Sequence, residues 1–366
     1  MSLDGFTAEQ VAHIAATTLD AYVKGPLNQI GIQEKPLIGI IEGAAKEYNG
    51  AKENISIGVK FERGAGGVND GLTGYSNDDE VNFYTPGNGK RANYIWREHH
   101  IGFTMTETML KTQGILIGDE FGKVRRSKGD RGLQVLANIM DEATKDFGER
   151  YAETVNTLFW GDGTSDSSAL HGLRAFIQDI PTLGAVGGLS GATNPKWRNR
   201  SRTAAYAAHG TFDAAWGGNR VTSAVADGGA LLQELQKEWR QLRRFGGKPD
   251  TFLAGSSFID AMEREIRANG MYSDIGFTKK QDGAVGEMYF KNVPVIYDPT
   301  LDDLGRAKYA YIWDKSDIYL ESLAGDWKRT RNPARPFNKF VFYESLVCTG
   351  QICSEQRDSA LVIEIA

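Results

Sequence analysis

The sequence predicts an α+β protein of two or three lobes. Three patterns carry that expectation. Ile55, Ile57, Val59 and Phe61 alternate with polar residues, as a strand with one wet face requires. Between Leu133 and Trp160 the apolar residues recur instead at a helical period. After a stretch in which helix and strand patterns take turns, the C-terminal third is dominated by strands. A chain of 366 residues, at roughly 100 to 200 residues per domain, is long enough to bury a substantial core in each lobe.

Taken in order, Thr7 and Gln10 have the spacing of a capping box, and Val11, Ile14, Ala15, Thr18, Leu19 and Tyr22 line one face of a helix that Gly25-Pro26 ends. The apolar stretch Pro36 to Ile41 leads through Asn49-Gly50 into the alternating strand. Glu62 to Asn93 is rich in Gly, Asn and Asp, with Val81 to Tyr84 and Tyr94 to Ile101 as its only further strand patterns; it reads as a long polar hairpin with little to bury. A loop of that length without its own core is functional or a docking arm. The helix of Leu136, Met140, Ala143, Phe147, Tyr151, Val155 and Leu158 would run about 42 Å if uninterrupted and stops at Gly161-Asp162-Gly163. Thr182 to Arg220 shows no sustained period and is expected to cross irregularly between lobes. Asp227 then caps a helix carrying Leu231, Leu232, Leu235, Trp239 and Leu242, which closes on Gly246-Gly247. Thr251 to Ala254 is a strand, Ser256 or Ser257 caps a helix to Asn269, and Val293 to Tyr297 is a strand ended by Asp298-Pro299. Strands over Lys308 to Trp313, Asp317 to Glu321, Phe340 to Gln351 and Leu361 to Ile365 complete the chain.

Composition narrows the function classes. No apolar run approaches the roughly 20 residues that span a bilayer, and mean hydropathy is -0.39. Net charge is -5, which disfavours wholesale coating of nucleic acid. Cys348 and Cys353 are the only cysteines, and their odd separation along one strand points them to opposite faces, which argues against a disulfide framework. Met1 to Gln10 lacks the basic start of a secretory leader, so the expected compartment is a cytoplasm.

No catalytic constellation stands out. Gly64, Gly66, Gly67 and Gly71 do not form a dinucleotide fingerprint, and Gly122-Lys123 and Gly247-Lys248 lack the rest of a phosphate loop. Ser190 lacks the spacing of a nucleophile elbow. His99 and His100 are strand neighbours facing opposite ways, read as one buried hydrogen-bonded histidine and one exposed. Asp162, Thr164 and Asp166 open like a calcium loop, but Leu173 stands where the closing Glu belongs, so they read as a helix terminator. Three basic clusters remain: Lys123, Arg125, Arg126, Lys128 and Arg131; Lys196, Arg198, Arg200 and Arg202; and Lys328, Arg329, Arg331 and Arg335. The hairpin carries the opposite charge at Asp78, Asp79 and Glu80. An arm that lacks a core and complements a basic cluster elsewhere suggests contact with a neighbouring copy of the chain.

This order of arm, hairpin, long helix, α/β lobe and returning strands resembles the major capsid proteins of tailed bacteriophages, the Hong Kong 97 fold. Gly187-Gly188-Leu189 followed by Thr193-Asn194-Pro195-Lys196-Trp197-Arg198-Asn199 is similar to a signature of these coat proteins. Arg243-Arg244-Phe245-Gly246-Gly247-Lys248-Pro249-Asp250 and Val293-Pro294-Val295-Ile296-Tyr297-Asp298-Pro299 resemble their helix end and later strand. The resemblance implies an N-terminal arm (1–35), a peripheral domain with a long spine helix (36–54, 102–162 and 310–352), an extended loop (55–101) and an axial domain (163–309 and 353–366). It implies a structural protein and no enzyme, without catalytic residues, cofactor or metal, whose hexamers and pentamers form the icosahedral head around non-specifically held double-stranded DNA. Portal and scaffolding proteins would be its partners, assembly would occur in the host cytoplasm, and the mature chain would reside in the virion. No long charged helical segment precedes the arm, so a scaffold is separate or already removed. An encapsulin-like cage storing cargo is the alternative within the same fold, and an α/β hydrolase is the competing class. Some relatives cross-link a loop lysine to a neighbour's asparagine. Lys60, Lys90, Asn332 and Asn338 supply those residue types, but no cross-links are expected here.

Overall fold

The computed structural model describes residues 6–7, 35–49, 53–59, 76–78, 89–106, 108, 117–118, 146–164, 166, 168–222, 230–268, 288–331 and 341–366. These residues build two large sheets with a helix laid against both, and three two-stranded pairs besides. The first sheet has seven strands in the order Gly217–Gly218, Arg200–Arg202, Leu361–Glu364, Tyr309–Trp313, Thr251–Ala254, Val293–Tyr297 and Tyr289–Phe290. Tyr309–Trp313 runs antiparallel to both of its neighbours, and Thr251–Ala254 and Val293–Tyr297 run parallel. Its central strands are buried on both faces, which is why Thr251–Ala254 and Leu361–Ile363 read as continuous runs and not as alternation.

One face of this sheet is covered by two amphipathic helices, Ala230–Leu242 and Ser256–Ala268. Leu231, Leu232, Leu235, Trp239 and Leu242 form the inner stripe of the first helix, as the sequence spacing predicts, and meet Phe258, Met262 and Ile266 of the second over Phe252, Ala310, Ile312 and Ile363. The expected Asp227 cap lies outside the described residues. The helix start is instead held by Glu265, whose two carboxylate oxygens accept from Leu231 N at 3.1 Å and Leu232 N at 2.9 Å. A carboxylate from a neighbouring helix thus meets two of the amide donors that every helix start leaves open.

The second sheet is organised by the long strand Val341–Ser354, which pairs antiparallel with Arg97–Thr106, Arg329–Arg331 and Ile318–Leu323; Lys46–Tyr48 adds in parallel to the last of these. Cys348 and Cys353 lie on the long strand, both buried and both free thiols.

The long helix is described from 146 to 159, about 21 Å of it, and 133–145 lies outside the described residues. Phe147 and Tyr151 pack on Leu346 and Cys348 of the second sheet. At the other end Trp160, fully buried, meets Tyr311 of the first sheet with ring centroids 5.1 Å apart and donates from Nε1 to Asp298 Oδ2 at 2.8 Å. Asn156 Nδ2 donates to Thr300 Oγ1 at 2.6 Å one turn earlier. The helix therefore ties the two sheets together, and the chain after it turns back closely on its last turn: a Cβ on Gly172 would stand 2.4 Å from Leu158 O. Phe147→Ala is expected to cost about 3 kcal/mol, the lower end for a buried Phe because its cluster is small. Urea unfolding of the variant checks this, and a midpoint equal to wild type would contradict the packing.

Several sequence expectations change. Phe6–Thr7 is extended and pairs in parallel with Ile117–Gly118; the helix expected after Thr7 lies outside the described residues, as does Val81 to Tyr84. Pro36–Gly43 is a helix opened by a proline, whose missing N–H costs nothing there. Tyr94 to Ile101 is not one strand but the junction of Lys90–Ile95 and Arg97–Thr106, broken at Trp96, whose ring packs on Tyr48. The segment from Thr182 to Arg220 is no mere crossing, since Arg200–Arg202 is a strand of the seven-stranded sheet. The base of the hairpin buries more than its composition suggests: Ile55, Val59, Ala92 and Tyr94 all enter the main core.

Candidate assembly surface

The charged residues singled out in the sequence divide into those the chain uses internally and those it leaves outside. Lys196 lies in the turn Pro195–Trp197, Arg198 follows it, and Arg200 and Arg202 sit on the strand Arg200–Arg202, second from the edge of the first sheet; the three arginines point back into the protein. Arg198 Nη1 bonds Asp213 Oδ2 at 2.9 Å, and its remaining nitrogens reach Gly191 O and Ala192 O. Arg200 Nε donates to Glu238 Oε2, and Arg202 Nε to Glu238 Oε1 at 2.9 Å. Burial alone would push the Glu238 carboxyl up, but the two guanidiniums outweigh it and hold the group below the ordinary carboxylate range. The three arginines are thus internal wiring, while Lys196 stays exposed. The cluster from Lys123 to Arg131 lies outside the described residues.

The third cluster is split. Lys328 sits in a left-handed turn at φ 57° and donates from Nζ to Glu42 Oε2 at 2.7 Å, with the Tyr151 ring 5.7 Å away. It fastens the turn to the helix Pro36–Gly43 and is spent within the chain. Arg329 and Arg331 alternate with Thr330 on the strand Arg329–Arg331, so both face outward and both are exposed. Arg329 makes one exposed ion pair with Asp326 at 2.8 Å, an interaction worth about 0 to 1 kcal/mol that a better partner displaces. Arg335 lies outside the described residues. On the hairpin, Asp78 is exposed in a turn, whereas Asp79 and Glu80 lie outside the described residues. Among the described residues no ion pair joins Asp78 to Lys328, Arg329 or Arg331 in the same chain.

The signature residues have structural tasks. Gly187 and Gly188 take φ of 59° and 78° in the turn of a small hairpin, Ala185–Val186 with Leu189–Ser190, and a Cβ on Gly187 would stand 2.8 Å from Ala92 Cβ. Asn93 N donates to Gly187 O at 2.9 Å, so this turn is the clamp on the base of the long hairpin. Trp197 is fully buried and donates to Val186 O at 3.0 Å, while Asn199 bonds both backbone groups of Gln178. Lys90 Nζ reaches Asn194 Oδ1 at 2.6 Å across the same clamp; Lys60, Asn332 and Asn338 lie outside the described residues. His99 is the partly buried histidine of its pair, accepting from Leu170 N at 3.0 Å, and His100 is exposed.

No protein-family model matches the sequence, and no curated relative does. Solved structures do match. A chain of the cyanophage A-1(L) capsid asymmetric unit superposes with a TM-score of 0.61 at 16% identity, covering 91% of this chain and 93% of that one. This is the fold of a phage capsid subunit. The capsid of Myoviridae phage XM1 follows at TM-score 0.49 and 10% identity, covering 90% and 92%, and the holo-SrpI encapsulin complex from Synechococcus elongatus PCC 7942 at 0.44 and 10%, covering 93% and 89%. Among the described residues no group of His, Cys, Asp or Glu is placed to hold a metal ion, and no helix is long and apolar enough to cross a membrane.

Proposed function

We propose that this chain is the major coat subunit of a tailed, double-stranded DNA bacteriophage, a structural protein and not an enzyme. The observation that carries the reading is the near full-length match to a capsid chain, 91% of this protein against 93% of the other. Many copies would form hexamers and pentamers of an icosahedral head, made in the host cytoplasm with portal and scaffolding proteins and closed around DNA held without sequence preference. In this reading the seven-stranded sheet with its two helices is the axial domain, the second sheet and the long helix are the peripheral domain, and the hairpin from 55 to 101 lies across a neighbour.

The outward pair Arg329 and Arg331 is the surface against which a neighbour's Asp78, Asp79 and Glu80 would sit. Lys328 is removed from that surface because Glu42 already holds it. Each exposed pair contributes little, but repetition at every subunit contact multiplies the term across a shell.

Electron microscopy of the expressed protein tests the function: shells or capsomers support it, and a compact monomer at all concentrations contradicts it. Co-purifying cargo protein inside shells in place of a genome would favour a storage cage. Reversing Asp78, Asp79 and Glu80 to Lys is expected to block shell formation while leaving the monomer folded. Also reversing Arg329 and Arg331 to Glu is expected to restore part of it. Normal assembly of the loop variant, or no rescue by the compensating one, removes this pairing.

A further inference from the structure

Two stretches of chain pass side by side between the sheets. Residues 314–317 lead from Tyr309–Trp313 into Ile318–Leu323, and residues 355–360 lead from Val341–Ser354 into Leu361–Glu364. They are tied to one another at Asp317, whose carbonyl accepts from Glu355 N at 2.9 Å and whose carboxylate Oδ2 accepts from Ser359 Oγ at 2.6 Å. Any change of angle between the sheets must strain or break this tie.

Carboxylates outnumber cations around it. Asp314, Asp317, Glu355 and Asp358 all lie on the two crossings. Asp314 is satisfied by Lys248 N, Ser316 N and Ser316 Oγ. Glu355 faces Lys46 at 3.1 Å and accepts from Tyr319 Oη at 2.8 Å. Lys196 acts on Asp358 from a distance, yet Asp358 Oδ1 is buried with no hydrogen-bond partner among the described residues. Lys315 turns away to Asp250 at 3.3 Å. Arg357, in the middle of the second crossing, spends its guanidinium on carbonyl and amide oxygens of other loops. Asp317 has no ion pair among the described residues.

We propose that this double crossing is a proton-controlled joint: a neutral Asp317 lets the two stretches lie together, and its ionisation sets it against Asp314, Glu355 and Asp358 and loosens the connection between the sheets. The inference concerns the chain itself and does not depend on its assembling into a shell.

The sign follows from linkage. Burial, opposed by the Ser359 hydrogen bond and reinforced by the charges of Asp314, Asp358 and Glu355, pushes Asp317 up to about 6 from 3.8. An acid raised on folding contributes stability that is fully present below its unfolded value and is lost as pH rises through its folded one. The window is therefore between about pH 4 and about pH 6, and the joint is looser above it.

Hydrogen exchange on the full chain, corrected for the intrinsic effect of pH, tests this. Peptides covering 314–318 and 354–360 are expected to lose protection by about tenfold or more between about pH 5 and about pH 7.5, while peptides of the central strand Thr251–Ala254 do not. Asp317→Asn is expected to abolish the pH response. Ser359→Ala, which removes the hydrogen bond that favours the carboxylate, is expected to move the transition to higher pH; it carries the test should the first variant fold poorly. Equal protection of the wild type at both pH values, a wild-type response in Asp317→Asn, or an unmoved or lowered transition in Ser359→Ala would each overturn the proposal.

Discussion

Arg357→Ala is expected to lower stability by about 5 kcal/mol, against a typical total of about 5 to 15 kcal/mol for a domain. Arg357 is among the largest fully buried side chains. Its guanidinium donates to Phe176 O at 2.9 and 2.7 Å, to Trp197 O at 2.9 Å, to Asn199 Oδ1 at 3.1 Å and to Gln178 Oε1 at 3.2 Å. No carboxylate takes part, and burial draws its affinity for the proton down to about 10 while leaving it charged at neutral pH. Truncation strands two buried carbonyls at about 1 to 3 kcal/mol each and leaves a large cavity. Arg357→Lys keeps the charge but cannot reproduce a planar fork reaching two separate segments, 176–178 and 197–199, so it is expected to lose about half as much. Urea unfolding measures both. A lysine variant as stable as wild type would show that charge, and not geometry, is what the site requires.

Glu238→Ala is expected to cost about 3 to 5 kcal/mol, because it leaves the Arg200 and Arg202 guanidiniums beneath the helix Ala230–Leu242 without their shared carboxylate. The Arg200 and Glu238 side chains are 9% and 1% exposed, so water does not replace the lost partner. Removing both charges is a different experiment: Arg200→Met with Glu238→Met takes away the desolvation cost as well as the attraction, and is expected to recover most of the loss. The two unfolding midpoints together decide whether the pair supplies stability or chiefly alignment of strand and helix. Because Glu238 titrates below its ordinary value, its contribution is present above the unfolded carboxylate range and is lost as pH falls through the folded one.

The amphipathic helices, the strand runs and the helix terminator at Asp162 were legible because each depends on residues close in sequence. Asp162 Oδ1, for instance, accepts from Thr164 N at 3.1 Å, two residues away. The same local logic separated His99 from His100. It failed where a partner comes from far along the chain. Lys328 reads as a free surface charge beside Arg329, yet Glu42, 286 positions earlier, claims it. The alternating arginines 198, 200 and 202 look like a basic face, but a buried glutamate on a distant helix turns two of them inward. Arg357 carried no signal at all, since nothing near it in sequence distinguishes it from an exposed arginine.

By itself the sequence determined most of the segments that are helix or strand and that strands dominate the C-terminal third. Those properties follow from backbone preference and from the period of apolar residues, which are set over a few neighbours. The tertiary structure alone decided which charges remain on the surface, that the long helix fastens two sheets, and that the two crossings are tied at Asp317. Electrostatic partnership and burial are properties of distance in space, and only folding brings Asp317 beside Ser359 or Trp160 onto Asp298.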